Sequence, residues 1–419
     1  MTLNLPFVME FVVYLTNRCN LRCEMCSQYG ENFKELACPD LPFDEWKKFF
    51  DSISDVNPKP KIILMGGEPL LYKDVDKVID YLNKLDFYIQ IVTNGTMVEK
   101  HLDAISKCKH ITVTFSIDGL QQTHDRIRGV NGTFQKAIDS IRKLNEIKKK
   151  NPNIYVYVNS VLLPDNIDDI DKFLQVIQKE NVDQVVFQHL QFATKEMNEL
   201  SKTEWESCLH QQYGECFTTK KQYNIDKTYT DKLKNLTKKI DPVCKVETFI
   251  FPYLHEDEIE KYYFEKDLKT IRPYMRCTTP WLTAFIAANG DVSNCIENTI
   301  GNITKEDFWT LWNNEKANKI RQALCEHGNF TLCAKCCNFY KSCFLYAPKG
   351  RVKVKGKEYI LPNELNYLEQ SKDGVLILNK SISTEAEMHA YPLAVHSQEM
   401  LEAIKKNETI LCHFEEIGG

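Results

Sequence analysis

Three cysteines, Cys19, Cys23 and Cys26, fall within eight positions of "TNRCNLRCEMCSQYG", Thr16 to Gly30. Thiolates ligate zinc and iron-sulfur clusters, and the ligand count separates the two uses. A structural zinc is closed by four protein ligands, and the next cysteine, Cys38, lies twelve residues on in an acidic, Pro-flanked stretch. A cubane of four irons held by three cysteines leaves one iron open. A second group comes late in the chain, where Cys277 to Cys343 holds seven of the sixteen cysteines. Four thiolates there suit a closed zinc or a closed cluster equally.

Other stretches of unusual composition punctuate the first half: "MGGEP" (Met65 to Pro69), "TNG" (Thr93 to Gly95), "SIDG" (Ser116 to Gly119) and "HDRIRG" (His124 to Gly129). Two glycines let backbone approach a ligand with no Cβ in the way. Small polar groups suit ribose hydroxyls and a carboxylate, although Asx and Ser turns use the same residues.

The elements that carry these groups are legible as alternating apolar strands and amphipathic helices. Phe11–Leu15, Ile62–Met65, Tyr88–Thr93, Ile111–Ile117, Ile154–Leu162 and Gln184–Phe187 read as strands. Between them Val75, Val78, Ile79, Leu82 and Leu85, and Phe134, Ala137, Ile138, Ile141 and Leu144, follow helical spacing. Strands alternating with helices imply an α/β fold with a parallel sheet: an incomplete barrel of the (β/α)8 type, or an open doubly wound sheet. In either, the cysteine loop, "GGEP", "TNG" and "SIDG" follow strands and share the carboxyl-end face where ligand sites are built.

The chain has 419 residues, 43% apolar and 26% charged, which suits one large domain with a smaller one. A formal charge of -5 provides no field for a phosphate backbone, so no nucleic-acid partner is expected. No stretch is apolar enough for a membrane span, and Met1 to Val13 lacks the basic start of a secretory signal; a cytoplasmic location is expected. There, reduced thiols favour metal ligation over disulfides. The expected divisions are a barrel over 1–195, a helical connector over 196–276, a metal-organised domain over 277–348 and an appendage over 349–419 with strand-like alternation in Arg351–Ile360 and Gly374–Leu378.

The spacing Cys19, three residues, Cys23, two residues, Cys26 resembles the signature of the radical S-adenosylmethionine (SAM) enzymes. The resemblance implies a partial (β/α)6 TIM-like barrel and a [4Fe-4S] cluster whose unique iron is chelated by SAM. It also implies reductive cleavage to a 5'-deoxyadenosyl radical that abstracts hydrogen from substrate, with a flavodoxin- or ferredoxin-type electron donor. Met25 stands where the family places a bulky residue near the adenine. Gly66, Gly67 and Glu68 match the glycine-rich motif that meets the SAM amino group. Thr93, Asn94, Ser116 and Asp118 match positions near the nucleoside and methionyl portions, and Arg128 or Arg126 is the candidate clamp for the methionyl carboxylate. Asn159 and Ser160 are weaker candidates on the fifth strand.

The later cysteines resemble the auxiliary domains called SPASM and, in short form, twitch. "PWLTAFIAANGDVSNC", Pro280 to Cys295, fits a hairpin with an Asn-Gly turn that sets Cys277 beside Cys295. Ser342 and Tyr346 stand where the full form has further cysteines, so one auxiliary [4Fe-4S] cluster on Cys277, Cys295, Cys333 and Cys336 is expected, with Cys337 or Cys343 as further candidates. Cys325 reads as a packing residue. A closed cluster moves electrons, which favours oxidation of a small-molecule or sugar-type substrate. The alternative is a peptide or protein maturase; epimerisation would call on a thiol hydrogen donor such as Cys208, Cys216 or Cys244. The eighteen residues before Cys19 leave no room for a leader-binding domain, which tilts the reading to small molecules. Substrate contacts are expected from Tyr253, His255, Tyr262 and Tyr263. The reading of another class is a zinc-binding scaffold without catalysis.

Overall fold

The structure, a computed structural model, describes residues 8–27, 39–56, 59–209, 219, 221–252, 254, 256–265, 277, 279–295, 298–326 and 328–342, with short strands at Leu345–Tyr346 and beyond residue 350. Six strands alternate with helices as the sequence implies: β1 (Glu10–Thr16), β2 (Lys61–Gly66), β3 (Tyr88–Thr93), β4 (Ile111–Ser116), β5 (Ile154–Leu162) and β6 (Gln184–His189). They pair in sequence order and all in parallel. Among the helices between them are α1 (Phe43–Ser52), α2 (Val75–Lys84), α3 (Leu102–Ser106), α4 (Gln121–Arg128), α5 (Thr133–Lys148) and α6 (Ile170–Ile177). This is a partial (β/α)6 barrel.

Strand alternation divides the residues between two faces. Phe11, Val13, Ile62, Leu64, Ile89, Ile91, Val113 and Phe115 are fully buried in one core with Val75, Val78, Ile79 and Leu82 of α2 and Ala137, Ile141 and Leu144 of α5. Burying each such side chain contributes about 1.5–3 kcal/mol. On the other, inner face a separate small cluster joins Val12, Ile63 and Phe285 with Tyr14, Met65 and Val92. Elsewhere the inner face carries polar groups among apolar ones: Gln90 donates to Thr114 at 2.8 Å, and Ser116 stands in register with Asn159, which is in register with Val186.

The sheet runs beyond the six expected strands at both edges. β7 (Glu247–Phe251) arises inside the segment read as a connector and pairs in parallel with β6. All five of its residues are half-buried, so it carries no alternation to reveal it. At the other edge β8 (Thr283–Ile286) pairs in parallel with β1, and β9 (Asp291–Cys295) and β10 (Asn298–Asn302) extend the sheet to ten strands. The expected hairpin is thus β8–β9, closed by Gly290 at φ +88, a conformation that favours glycine. Its attachment to β1 fixes the cysteine-rich region against the barrel. Past residue 350, Arg351–Val354 pairs antiparallel with Lys357–Ile360, while Gly374–Leu378 lies outside the described residues. No helix among the described residues is long and apolar enough to cross a membrane.

Candidate functional site

The loop after β1 is held by backbone from three distant segments. The Gly67 N–H donates to the Thr16 carbonyl and the Glu68 N–H to the Arg18 carbonyl, each at 2.8 Å. A Cβ on Gly66 would stand 2.3 Å from the Thr16 oxygen, and one on Gly67 2.2 Å from the Arg18 oxygen. The glycines therefore serve first to let β2 press on the cysteine loop, a close approach to protein backbone where the sequence suggested approach to a ligand. On the opposite side Glu24 N–H donates to the Ile127 carbonyl at 2.9 Å, and Arg22 N–H to that of Arg128 at 3.4 Å, both at the end of α4. Lys221 closes the third side, its N–H on the Glu24 carbonyl and its Nζ on Glu24 at 3.0 Å and Asp165 at 2.9 Å. Asn20, within the loop, is tied to Thr96 at 2.9 Å and Asn94 at 3.0 Å.

Cys19, Cys23 and Cys26 are free of disulfides and lie within electrostatic reach of one another. Burial pushes the Cys19 thiol up to about 11, with Glu68 and the other two thiols adding to the rise against a hydrogen bond from Leu21 N–H. Burial also raises Cys23, while Arg128 draws it down. A set of thiols that repel one another as anions is one that a cationic centre would hold as thiolates. Cys38 lies outside the described residues.

Arg128 joins this set to the "SIDG" turn. Its Nη1 donates to Cys23 Sγ at 3.6 Å, and its Nη2 sits 2.6 Å from Asp118 Oδ2. Burial opposes the guanidinium charge, but Asp118 and Cys23 outweigh it and hold its pKa above the ordinary range. Its Nε is buried with no hydrogen-bond partner among the described residues, an orphaned donor that fits a carboxylate such as that of SAM. Asp118 is fully buried; its Oδ1 accepts from Val161 N–H at 3.0 Å. Its own N–H donates to Nδ1 of His124 at 3.1 Å, and its carbonyl accepts from Asn166 at 2.9 Å. His124 is held neutral by burial, which draws it down to about 4. Asp125 accepts from the N–H groups of Gly132 and Phe134 and so caps the start of α5. Arg126 is half-exposed, 3.3 Å from Asp165 and 3.7 Å from Glu24, a surface pairing.

Glu68 is 1% exposed. Burial pushes its carboxyl up to about 7, against hydrogen bonds donated by Asn94 N–H and the Thr93 hydroxyl at 2.8 Å and by Leu70 N–H at 3.2 Å. Between its ordinary value and about 7 the folded chain holds a proton that the unfolded chain has lost, so this group's contribution to stability falls as pH rises through that window. We expect SAM-free protein to lose more stability than the Glu68→Gln variant between about pH 5 and about pH 8, measured by chemical denaturation.

The structure divides the remaining candidates. Ser116 and Asn159 share the inner face, whereas Ser160 is fully buried on the opposite one. Met25 packs with Val161, Phe192, Tyr223 and Ile225 on a small core of Ile127, Leu163 and Leu190, an apolar patch beside the cysteines. Tyr262 and Tyr263 are core residues: the Tyr262 hydroxyl donates to the Leu190 carbonyl, and that of Tyr263 meets His189 at 2.9 Å. They are turned from the substrate contacts expected of them, and Tyr253 and His255 lie outside the described residues. Cys244 spends its thiol on the Val246 carbonyl at 3.0 Å, Cys208 packs on the main core, and Cys216 is outside the described residues. His124, Asn166, Asn20 and Lys221 escaped the sequence reading as supports of the site. Only His124 had a local signal, in "HDRIRG".

The second set also assembles. Cys333 and Cys336 are half-buried; loss of hydration raises both thiols well above their ordinary value, and each lies within electrostatic reach of Cys277 and Cys295. Four thiols are the donor set of a closed cluster, although among the described residues no three His, Cys, Asp or Glu side chains stand close enough together to hold a metal ion as they are placed. Cys337 lies within reach of Cys336 and, on the other side, of Tyr14 on the inner face of β1. Nothing is described of the side chains of Cys325 and Cys343.

The radical SAM superfamily model matches residues 13–177, and the SPASM iron-sulfur cluster-binding domain matches residues 277–337. Residues 13–177 are thus a radical SAM domain and residues 277–337 a SPASM domain. The radical SAM and SPASM domains imply SAM, its [4Fe-4S] cluster and auxiliary iron-sulfur binding. The chain is 27% identical to the Fe-coproporphyrin III synthase of Methanosarcina barkeri over 182 residues, 43% of each protein. It is 28% identical to the sporulation killing factor maturation protein SkfB of Bacillus subtilis over 163 residues, 38% of this chain and 37% of that one. These matches thus span less than half of each relative. Streptococcus suis SuiB bound to precursor peptide SuiA has the same fold, with a TM-score of 0.55 and 16% identity over 80% of this chain and 70% of that one.

Proposed function

We propose that this radical SAM protein oxidises a polar substrate by two electrons: a hydrogen atom is removed from carbon, and the substrate radical then gives up an electron and a proton. When bound, the groups supply hydrogen abstraction by a radical derived from SAM and an electron acceptor at the closed cluster. One observation carries the reading. By register Cys295 falls level with Glu10 at the start of β1, whereas Cys19 follows that strand's end at Thr16, so the inner face of the sheet lies between the two thiol sets.

The residues of the chain hold and orient. Cys19, Cys23 and Cys26 hold the first cluster. Glu68 receives the SAM amino group, Arg128 Nε its carboxylate, and the patch around Met25 its adenine. Gln90, Thr114, Ser116 and Asn159 offer neutral hydrogen-bonding groups to the substrate, while Val12, Ile63 and Phe285 make a dry floor. Cys277, Cys295, Cys333 and Cys336 hold the second cluster, one in number. These neutral hydrogen-bonding groups suit a small hydroxylated or sugar-type molecule. A peptide is the second reading, favoured by the SuiB complex with its precursor peptide and by the match to SkfB. The electron enters from a flavodoxin- or ferredoxin-type donor.

Deuterated candidates of both kinds, incubated with reduced protein and SAM, test this. Deuterium is expected in 5'-deoxyadenosine, and the product is expected to be two hydrogens lighter. A product of unchanged mass carrying hydrogen from solvent overturns oxidation in favour of epimerisation.

A further inference from the structure

We propose that Tyr223 is a further SAM-binding residue, whose hydroxyl is the hydrogen-bond partner of the nucleoside end of SAM. The inference rests on the reading of the patch around Met25 as the place of the adenine. Tyr223 lies outside every motif that marked the SAM site, in the segment between β6 and β7. That segment crosses the cysteine loop and is tied down on both sides of Tyr223. Before it, the Lys221 N–H donates to the Glu24 carbonyl at 2.9 Å, and Lys221 Nζ bridges Glu24 at 3.0 Å and Asp165 at 2.9 Å. After it, the Asp226 side chain accepts from Tyr229 N–H at 2.9 Å and caps the helix Lys227–Lys234, whose Tyr229 hydroxyl donates to the Leu162 carbonyl at 2.9 Å.

The Tyr223 ring packs on Ile127, Leu163 and Leu190, the same small core that carries Met25, with Lys221 Nζ 5.1 Å from the ring centre. Ile127 adjoins Arg128, and Val161, on that core too, gives its N–H to Asp118. The ring therefore sits where the cysteine loop meets the Asp118–Arg128 pair. Its hydroxyl points to a ligand, for it is buried and has no hydrogen-bond partner among the described residues. A buried polar atom without a partner costs free energy, and native structures satisfy nearly all of them. Loss of hydration raises the phenol above its ordinary value, and Glu24, Asp165 and Asp118 add to the rise, so the group stays an uncharged O–H. A phenol both donates and accepts, and an adenine edge and a ribose offer both kinds of group. With Arg128 Nε, the site thus holds one unpaired buried group for each end of the molecule.

The test is calorimetric titration of the anaerobic, oxidised holoprotein with SAM, with iron counted on the same samples and chemical denaturation of SAM-free protein beside it. In Tyr223→Phe the affinity for SAM is expected to fall about tenfold, the ordinary worth of one hydrogen bond. SAM-free stability should be unchanged or raised, because the variant removes a hydroxyl that no protein group satisfies. Methionine, which carries the amino and carboxylate groups but no nucleoside, should compete for the site equally well in both proteins; an equal loss there overturns the placement at the nucleoside end. Unchanged SAM affinity at full iron content overturns the proposal alone and leaves the hydroxyl to water. A fall in SAM-free stability alongside the lost affinity makes Tyr223 a structural residue and overturns it as well. Wild-type protein that holds its iron and binds no SAM overturns the reading of the site, and the proposal with it.

Discussion

Replacing Cys19, Cys23 and Cys26 together by alanine is expected to remove about four of roughly eight irons per chain, since each cubane holds four. Production of 5'-deoxyadenosine in the presence of reductant and SAM should fall to background. The chain should nonetheless fold, because the loop is anchored by backbone and not by its thiols. Gly67 and Glu68 bind it to β2, Glu24 bonds to the end of α4, and Lys221 spans Glu24 and Asp165. The iron that remains should belong to the second set, whose proposed ligands, Cys277, Cys295, Cys333 and Cys336, share no residue with the first. Iron and sulfide analysis with denaturant titration checks all three statements. An unchanged iron count would remove the first cysteine set from the cofactor site.

Asp118→Asn is expected to destabilise the protein by about 3–5 kcal/mol, the cost of leaving a buried charge without its partner. The carboxylate is fully buried, the Arg128 side chain is 10% exposed, and they meet at 2.6 Å. Asparagine keeps an oxygen for the Val161 N–H, so the loss falls chiefly on the guanidinium. The same guanidinium touches Cys23 Sγ, so the variant should also bind SAM more weakly. Removing both charges in Asp118→Asn/Arg128→Met should recover part of the stability, because each partner's loss is costly mainly while the other stays. It should not recover SAM binding, because the donor for the carboxylate has gone. Chemical denaturation and calorimetric SAM titration of the two variants separate these effects. Additive losses in stability would show that the pair does not act as a unit.

The inner face and the SAM site differ in how far local pattern announced them. The strands β3 and β5 carry the bounds read from alternation, and α2 and α5 bury the residues their periodicity marked except Leu85, which is half-buried just past the end of α2. β7 escaped because five half-buried residues in a Lys- and Glu-rich stretch leave no period to detect. Tyr262 and Tyr263 looked like binding residues by composition, yet a helix whose first turn is Glu256, Asp257 and Glu258 turns both rings into the core. Aromatic residues at adjacent positions do not tell which face will be covered, since the covering elements, β6 and the segment around Tyr340, come from elsewhere.

By itself the sequence determined the cysteine spacing, the order of strands and helices, and hence that four chemical motifs share one end of a parallel sheet. These follow from local rules of spacing and period. Only tertiary structure decided that β8 joins β1, that the two glycines press on the cysteine loop, and that Arg128 shares itself between Asp118 and Cys23. Each of these is a contact between residues tens to hundreds of positions apart. No local period encodes such a contact; it arises when burying the apolar faces brings the segments together and their polar groups must find partners there.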